Sequence, residues 1–504
     1  MSGGRDFTQK WILVAGVAAL GVLSGCTVGP RYARPSAPAP PDYKETPPGW
    51  KTAQPSDQIA KGKWWEIYQD PQLNALQEKI QVSNQTLKAS LAQFDQARAL
   101  VRQVRADSYP TVTAGAAASR NRLSQNRALS GPGIARNYTD LQIPIVGVTW
   151  EPDLFGRVRK TVEAARSNAQ ASAGDLENVS LSLHAALAAD YFEARTLDAE
   201  EQLLRDTVDA YQKALELTQN RYSGGVASGV DVAQAQTQLE TTRAQMIDVQ
   251  VARAQFEHAI AVLVGEPASA FNLAFAPWHT APPPVPVGVP SDLMERRPDV
   301  AAAERRVAAS NAQIGVARAG YFPLISLSGS GGFESSTITN LISGPGGFLS
   351  AGASAVVTAF DVGRRRAISD EARAGYDQSV ANYRQTLLVA FQEVEDNLAA
   401  LRILEDESKT QEAAVAASRH SLDLSTTRYK GGVTTYLEVT TAQAIALSNE
   451  RVAVEILARR MTASVQLIQA LGGGWDAAML NSIQMSSAKP NPPQTAPVQG
   501  TTQP

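Results

Sequence analysis

Residues able to do chemistry are few in this chain, and their spacing argues against catalysis. His184, His258, His279 and His420 stand far apart and no cysteine accompanies any of them, so a zinc-binding spacing is missing. No serine lies in a G-x-S-x-G turn, and no phosphate-binding loop is present. GSGGF from Gly329 and GPGGF from Gly344 lack the third glycine of a dinucleotide loop and suit hairpin turns better. A net charge of −3 offers no basic field to nucleic acid. These observations predict a non-enzyme with no metal and no bound cofactor. One reactive side chain remains, the thiol of Cys26, which is the single cysteine.

Its context gives that thiol a use. Arg5 and Lys10 precede the apolar run WILVAGVAALGVL, and LSGC ends at Cys26. A charged start, about 13 apolar residues and small residues before a cut site make an export signal, and the run is too short for a comfortable membrane span. The small residues and the cysteine resemble a bacterial lipobox. That implies removal of residues 1–25 and acylation of Cys26 on its sulfur and new amino group, so the only covalent adjunct is lipid. Thr27, where an Asp would retain a lipoprotein at the inner membrane, implies sorting to the outer membrane.

The rest of the chain is written twice. RYSGGVASGVDV from Arg221 returns as RYKGGVTTYLEV from Arg428, 207 positions on. Gly156-Arg157, Ala165-Arg166 and Gly265 return at the same offset as Gly363-Arg364, Ala372-Arg373 and Gly472. A period this long is a duplicated half-molecule rather than a solenoid unit. Between Gly156 and Tyr222 there is no proline and one further glycine, Gly174; from Gly363 to Tyr429 the lone glycine is Gly375, at the matching position. Apolar residues recur at Leu183, Leu187, Tyr191, Ala194 and Leu197, then at Leu204, Val208, Tyr211 and Leu215, broken only at Glu201. Steps of three and four make a coiled-coil seam, and each such rod is about 100 Å long at about 1.5 Å per residue. Charged faces keep it in water. Paired glycines after Arg-Tyr stop each rod. Ser228 to Asp231 and Thr435 to Glu438 both fit the capping box that restarts a helix, giving returning helices from Val230 to Val264 and from Leu437 to Leu471. Each half therefore holds a long αα-hairpin with the repeated motif at its tip.

Ahead of each rod the period changes to two. Leu349, Ala351, Ala353, Ala355, Val357 and Ala359 share one strand face, and Ser350, Gly352, Ser354 and Thr358 the other; Ile325 and Leu327 alternate with Ser326 and Ser328. The first half matches loosely through Leu141, Ile143 and Ile145. Two strands per half, small or polar on one face and apolar on the other, suit either a membrane β-barrel or a soluble hairpin packed on the rods. Four strands cannot close in lipid, where an open edge costs several kcal/mol per unpaired group. Two chains would give eight strands with a filled interior; three give twelve and room for a watery lumen.

The flanks have their own specific text. LSGCTVGPRYARP, KWWEIYQDPQLNAL, PVGVPSDLMERRPDVAAAE, NAQIGVARAGYFPLISLSG and the two RYxGGV tips together resemble the TolC-like outer membrane efflux proteins, in the lipoprotein branch (NodT/OprM type) that serves RND pumps. The resemblance implies a mainly α protein with a membrane β-barrel part. In it a homotrimer builds one 12-stranded barrel, continued by an α-helical periplasmic tunnel with an equatorial girdle. It implies docking to a periplasmic membrane-fusion adaptor and an inner-membrane RND transporter, with outer membrane lipid around the barrel. Adaptor hairpins would dock beside Gly225, Val226, Ala227 and Ser228, and beside Gly432, Val433 and Thr434. The closed state would be locked at Tyr429 facing Asp231, with Leu437 and Glu438 one turn into the inner helix. Thr434 replaces a locking Arg of some relatives and Thr441 an acidic ring of many, which leaves Glu438 as the charged ring. On the residues alone, Asp231 and Glu438 are equally the third residues of capping boxes, worth about 1 kcal/mol.

The expected organisation is a signal over 1–25, a lipidated Pro-rich arm over 26–70 and a first repeat over 71–275. A Pro-rich connector over 276–291, a second repeat over 292–475 and a disordered tail over 476–504 complete it. Two other readings remain: an exit duct of the same family for type I protein secretion, and a structural coiled-coil periplasmic lipoprotein with no pore.

Overall fold

The computed structural model describes residues 28–36, 40, 42–45, 63–122, 124, 137–285 and 296–475. Cys26, the signal, part of the connector and the tail lie outside the described residues. The chain order is α1 (Pro71–Ser83), α2 (Gln85–Ala106), β1 (Thr111–Thr113), β2 (Ala117–Arg122), β3 (Asn137–Trp150), α3 (Arg157–Ser223) and α4 (Gly229–Leu263). After the connector come α5 (Pro298–Ala319), β4 (Leu324–Ser335), β5 (Gly347–Val356), α6 (Arg364–Lys430) and α7 (Tyr436–Ala470).

The duplication holds to the residue. α3 and α6 are both 67 residues long, α4 and α7 both 35, and every boundary of the second hairpin lies 207 positions after its counterpart. Length without proline is what lets an α-helix propagate this far, and the seam residues Leu187, Tyr191, Ala194, Leu204, Tyr211 and Leu215 are all buried. Among the described residues, no helix is long and apolar enough to cross a membrane.

The strands form one antiparallel sheet in the order β1/β2, β3, β4, β5, with β1 and β2 pairing along different stretches of β3. The expected first strand is thus interrupted over residues 114–116. The last strand ends at Val356, short of the expected Val357 and Ala359. Between Pro144 and Val146 the β3–β4 register shifts. Ile143 pairs with Phe333, and after the shift Val146, Val148 and Trp150 pair with Gly331, Gly329 and Leu327. A bulge adds one residue to one strand and reverses the parity of the residues beyond it, which is why alternation in the first half reads loosely. Across the sheet one face carries Ile143, Val148, Leu327, Phe333 and Ala353. The other carries Gln142, Thr149, Ser328 and the hydroxyl pair Ser326–Ser354 at 2.8 Å. The outer flanks of β1/β2 and β5 pair with no other described strand.

Below the sheet, α2, α3, α5 and α6 stand side by side as a wall; lower down the two hairpins pack on each other. The arm lies along this wall as the strap its prolines dictate. Val28 N donates to Phe155 O (3.4 Å), Asn311 Nδ2 to Pro30 O (3.3 Å) and Tyr32 to Glu304. Further down, Arg384 Nε donates to Ser36 O at 3.3 Å, and the Lys44 and Glu45 amides donate to the Glu395 carboxylate at 2.8 and 3.0 Å.

The WWEIYQDPQL segment is a plug. Trp64, Trp65 and Tyr68 are buried in the main core. Asp70 caps α1 by accepting from Gln72 N (2.8 Å) and Leu73 N (3.0 Å), ahead of Pro71 at the first helical position. Its second oxygen accepts from the Tyr191 hydroxyl at 2.6 Å.

Candidate docking and gating site at the hairpin tips

Both tips begin with the same backbone device. The α3 and α6 helices end at Gly224 and Gly431, and Gly225 (φ 71°) and Gly432 (φ 74°) take the left-handed turn that only glycine adopts freely. Val226 N then donates to Arg221 O at 2.8 Å, and Val433 N to Arg428 O at 3.0 Å. Gly225, Val226, Ala227, Ser228, Gly432, Val433 and Thr434 accordingly form the lowest turns of the chain. Val226 and Val433 are open to solvent at 69% and 70%, large apolar side chains with nothing of their own chain to cover them.

The helices that restart differ. At the first tip Asp231 N donates to Ser228 Oγ (3.2 Å) and Ser228 N to Asp231 Oδ2 (3.0 Å), a complete capping box. At the second the expected box does not form: Thr435 makes no side-chain cap. The Glu438 carboxylate turns instead to Arg428 Nη1 at 3.0 Å and to the Thr434 hydroxyl. Glutamate has one methylene more than aspartate, and that reach lets the carboxylate leave its own N-cap for partners outside it.

Tyr429 is turned inward within its own chain. Within the chain it does not bond Asp231, and its hydroxyl has no hydrogen-bond partner among the described residues. Its ring is 4% exposed and meets Tyr436 edge-on at 5.1 Å, inside a cluster of Tyr211, Leu215, Ala235, Leu239 and Val439. Burial pushes the Tyr436 hydroxyl up to about 12, keeping it neutral. Leu437, by contrast, is exposed.

Arg221 joins the hairpins. Its guanidinium lies 4.9 Å over the Tyr429 ring and Nη1 donates to Lys430 O at 3.0 Å, a cation–π contact plus a hydrogen bond across 209 residues of sequence. Sequence reasoning used this arginine only as a landmark, although its recurrence as Arg428 in the same motif was a usable signal. The two arginines do unlike work: Arg221 reaches across the hairpins, and Arg428 holds Glu438 within its own.

Midway up the rods a buried polar belt interrupts the apolar seam near Glu201. Arg195 and Asp198 are almost fully buried, with Nη1 2.9 Å from Oδ2. Asp198 also accepts from Arg253 Nε (3.1 Å) and Ala276 N (2.9 Å), while Arg195 donates to Ala274 O and Gln72 Oε1. The start of the Pro-rich connector is thereby sewn into the rods rather than hung between repeats. Above it His184 stacks on Trp65 at 4.4 Å, its Nδ1 donating to Gln77 Oε1 (2.5 Å) and its Nε2 accepting from Gln81 (3.1 Å). Burial depresses this imidazole to about 4. It is a structural group. Among the described residues, no group of three or more His, Cys, Asp or Glu side chains could hold a metal.

An antiparallel sheet with one apolar face stands on two long coiled-coil hairpins, an architecture that suits a membrane channel subunit with a helical extension. The sequence matches the outer membrane efflux protein family over residues 76–266 and 289–473, and the chain belongs to that family. It is 33% identical over 459 residues to the antibiotic efflux pump outer membrane protein ArpC of Pseudomonas putida, covering 90% of this chain and 94% of ArpC. It is equally similar to the toluene efflux pump outer membrane protein TtgC of Pseudomonas putida, again 33% over 90% and 94%. The fold superposes on the outer-membrane channel OprN with a TM-score of 0.81 at 30% identity, over 89% of this chain and all of that one.

Proposed function

We propose that this protein is the outer membrane exit duct of a tripartite RND-type efflux pump. It conducts drugs or other small molecules passively from a periplasmic adaptor and inner-membrane transporter to the exterior, and it carries no catalytic role. The observation that carries the proposal is a matched pair of open flanks. Among the described residues the sheet ends in β1/β2 and β5, whose outer flanks pair with no further strand, and the wall beneath it ends in α2 and α6. α6 buries 12 residues within the chain where α3 buries 27, so one face of the second rod waits for cover. A homotrimer covers both flanks at once, closing twelve strands and continuing them as a helical tunnel. Cys26, two residues before the strap meets Phe155 at the sheet–rod junction, would put its acyl chains in the periplasmic leaflet.

The tips are the adaptor's landing sites, and Arg221, Tyr429 and Glu438 with Arg428 hold them shut. That relatives of equal similarity are named for antibiotics and for toluene fits a duct that leaves selection to the pump. The test has two parts. Purified protein should run as a trimer and conduct in planar bilayers; monomers without conductance would overturn the duct. Ala227→Trp and Thr434→Trp should each reduce drug resistance to that of a deletion strain with trimers intact. Normal resistance in both would remove the docking role from the tips.

A further inference from the structure

Just under the sheet, in the first half, lies a cavity of about 400 Å³ lined by Arg105, Ser108, Arg159, Glu163, Arg166 and Ser167. We infer that it is a binding site for the headgroup of an anionic phospholipid in the leaflet that surrounds the base of the barrel. The inference rests on the outer membrane placement of the sheet.

Two of the three arginines are free to bind. Arg159 is held by Asp153 at 3.2 Å, and its neighbours Arg157 and Lys160 by Glu151 at 2.6 Å and Glu163 at 2.7 Å. Arg105 and Arg166 have no carboxylate partner among the described residues and are exposed. The duplicated half shows that this is not inevitable. Arg105 in RADSYP matches Arg318 in RAGYFP, and Arg159, Glu163 and Arg166 match Arg366, Asp370 and Arg373. There Asp370 lies 3.9 Å from Arg366 and 3.6 Å from Arg373, and Tyr321, with Arg365 5.4 Å over its ring, stands where Ser108 leaves room. In the first half Glu163 has swung to Lys160 instead, so the same arginine pattern is left without its anion and beside an open cavity.

Position and direction fit a lipid. Helical side chains lean toward the N-terminus of their helix. Arg166, on a rod descending from the sheet, therefore leans up, and Arg105, near the upper end of the antiparallel α2, leans down. Arg105 and Arg159 lie within about a turn of the sheet, inside a headgroup layer about 5–7 Å deep, and Arg166, whose backbone is about 10 Å below that of Arg159, reaches the layer only by its upward lean. Trp150, at the end of β3, donates from its indole to Ser108 O at 3.1 Å, fixing the cavity rim to the barrel. The cavity also opens on the side of the wall that carries the strap. Lys160, whose ammonium meets Glu163, packs its stem against Gly315, where a side chain would strike both Lys160 and Val28 O. Acyl chains on Cys26 and a diacyl lipid held by Arg105 and Arg166 would enter the same leaflet side by side. A fork of guanidinium N–H groups matches a phosphate diester in charge and geometry.

The test is native mass spectrometry of the full-length acylated trimer in detergent with phosphatidylglycerol and phosphatidylethanolamine added in equal amounts. The parent should retain phosphatidylglycerol preferentially. Arg105→Gln with Arg166→Gln should lower that retention about thirtyfold, from about 1 kcal/mol per arginine. Arg366→Gln with Arg373→Gln, whose arginines already share Asp370, should leave it at the parent level. Unchanged retention in the first variant overturns the site, as does displacement of the lipid by millimolar inorganic phosphate alone, which would make the site one for free phosphate. Conductance of the same preparations reports the duct separately, so a conducting trimer without lipid preference condemns this inference only.

Discussion

The hairpins of the two halves follow the same path to the residue and are held by different forces. In the first, Arg195, Asp198 and Arg253 form a buried ionic knot that gathers the connector, and His184 sits neutral between Trp65 and Gln77. At the matching places the second half has Arg402, Glu405, Arg460 and Phe391. Arg402 reaches outward to Glu45 of the strap, Glu405 pairs with Lys409 at the surface, and Phe391 packs in the apolar core. The tips diverge alike: a closed capping box in one, a carboxylate drawn to Arg428 in the other. Backbone geometry in a duplicated rod is thus set by helix length and glycine placement. Side-chain chemistry is free to specialise, the first half as the anchored body and the second with fewer buried residues on its rod and a tip carboxylate held by Arg428.

That contrast can be broken at several points. The largest effect is expected at Asp198. Replacing it by alanine leaves Arg195 charged and buried without its anion, a loss of about 3–5 kcal/mol, read as the shift in urea unfolding of the detergent-solubilised protein. A shift below about 1 kcal/mol would mean that the knot is solvated and the halves are alike.

Next is acid sensitivity. The His184 imidazole is pushed below its unfolded value, so the stability it contributes is complete above about pH 6.5 and is lost as pH falls toward 4. The loss is on the order of 3 kcal/mol. His184→Phe, which copies Phe391, should flatten that part of the stability–pH curve; an unchanged slope between pH 6.5 and 4 would assign it to other groups.

At the tips Asp231→Ala should cost about 1 kcal/mol and leave conductance as it was. Glu438→Gln should leave thermal stability unchanged but lower cation selectivity in planar bilayers if, as proposed, three chains bring their Glu438 carboxylates into one narrow throat. If the two outcomes are exchanged, the roles of the tips are exchanged with them. The smallest effect is expected from Arg402→Ala, where a partly exposed ion pair to the strap is lost; its melting temperature should stay close to the parent's, in contrast to Asp198→Ala.

Residue order alone dictates the duplication, the four long helices, both tip turns, the strap and the membership of the sheet. These rest on local rules: proline and glycine placement, a period of three and four, and a period of two are properties of neighbours in the chain. Local rules fail where an extra residue reverses the parity of β3 near Pro144, because a bulge has no local marker beyond the loss of alternation. They fail again at Glu438. A capping box is a local pattern, but whether a carboxylate stays on its own helix is decided by competing partners. Arg428 is brought to Glu438 only by the return of the chain, and Tyr429 is drawn inward by Tyr436 and by Arg221 from the other hairpin. The same holds for Asp198, whose partners Arg253 and Ala276 N come from the opposing helix and the connector, and for His184, which is kept neutral by being walled off from water beside Trp65. Burial is a property of the assembled fold, and it is the packing of distant segments that selects which polar groups of this chain are paired, which are neutral, and which are left open for a partner.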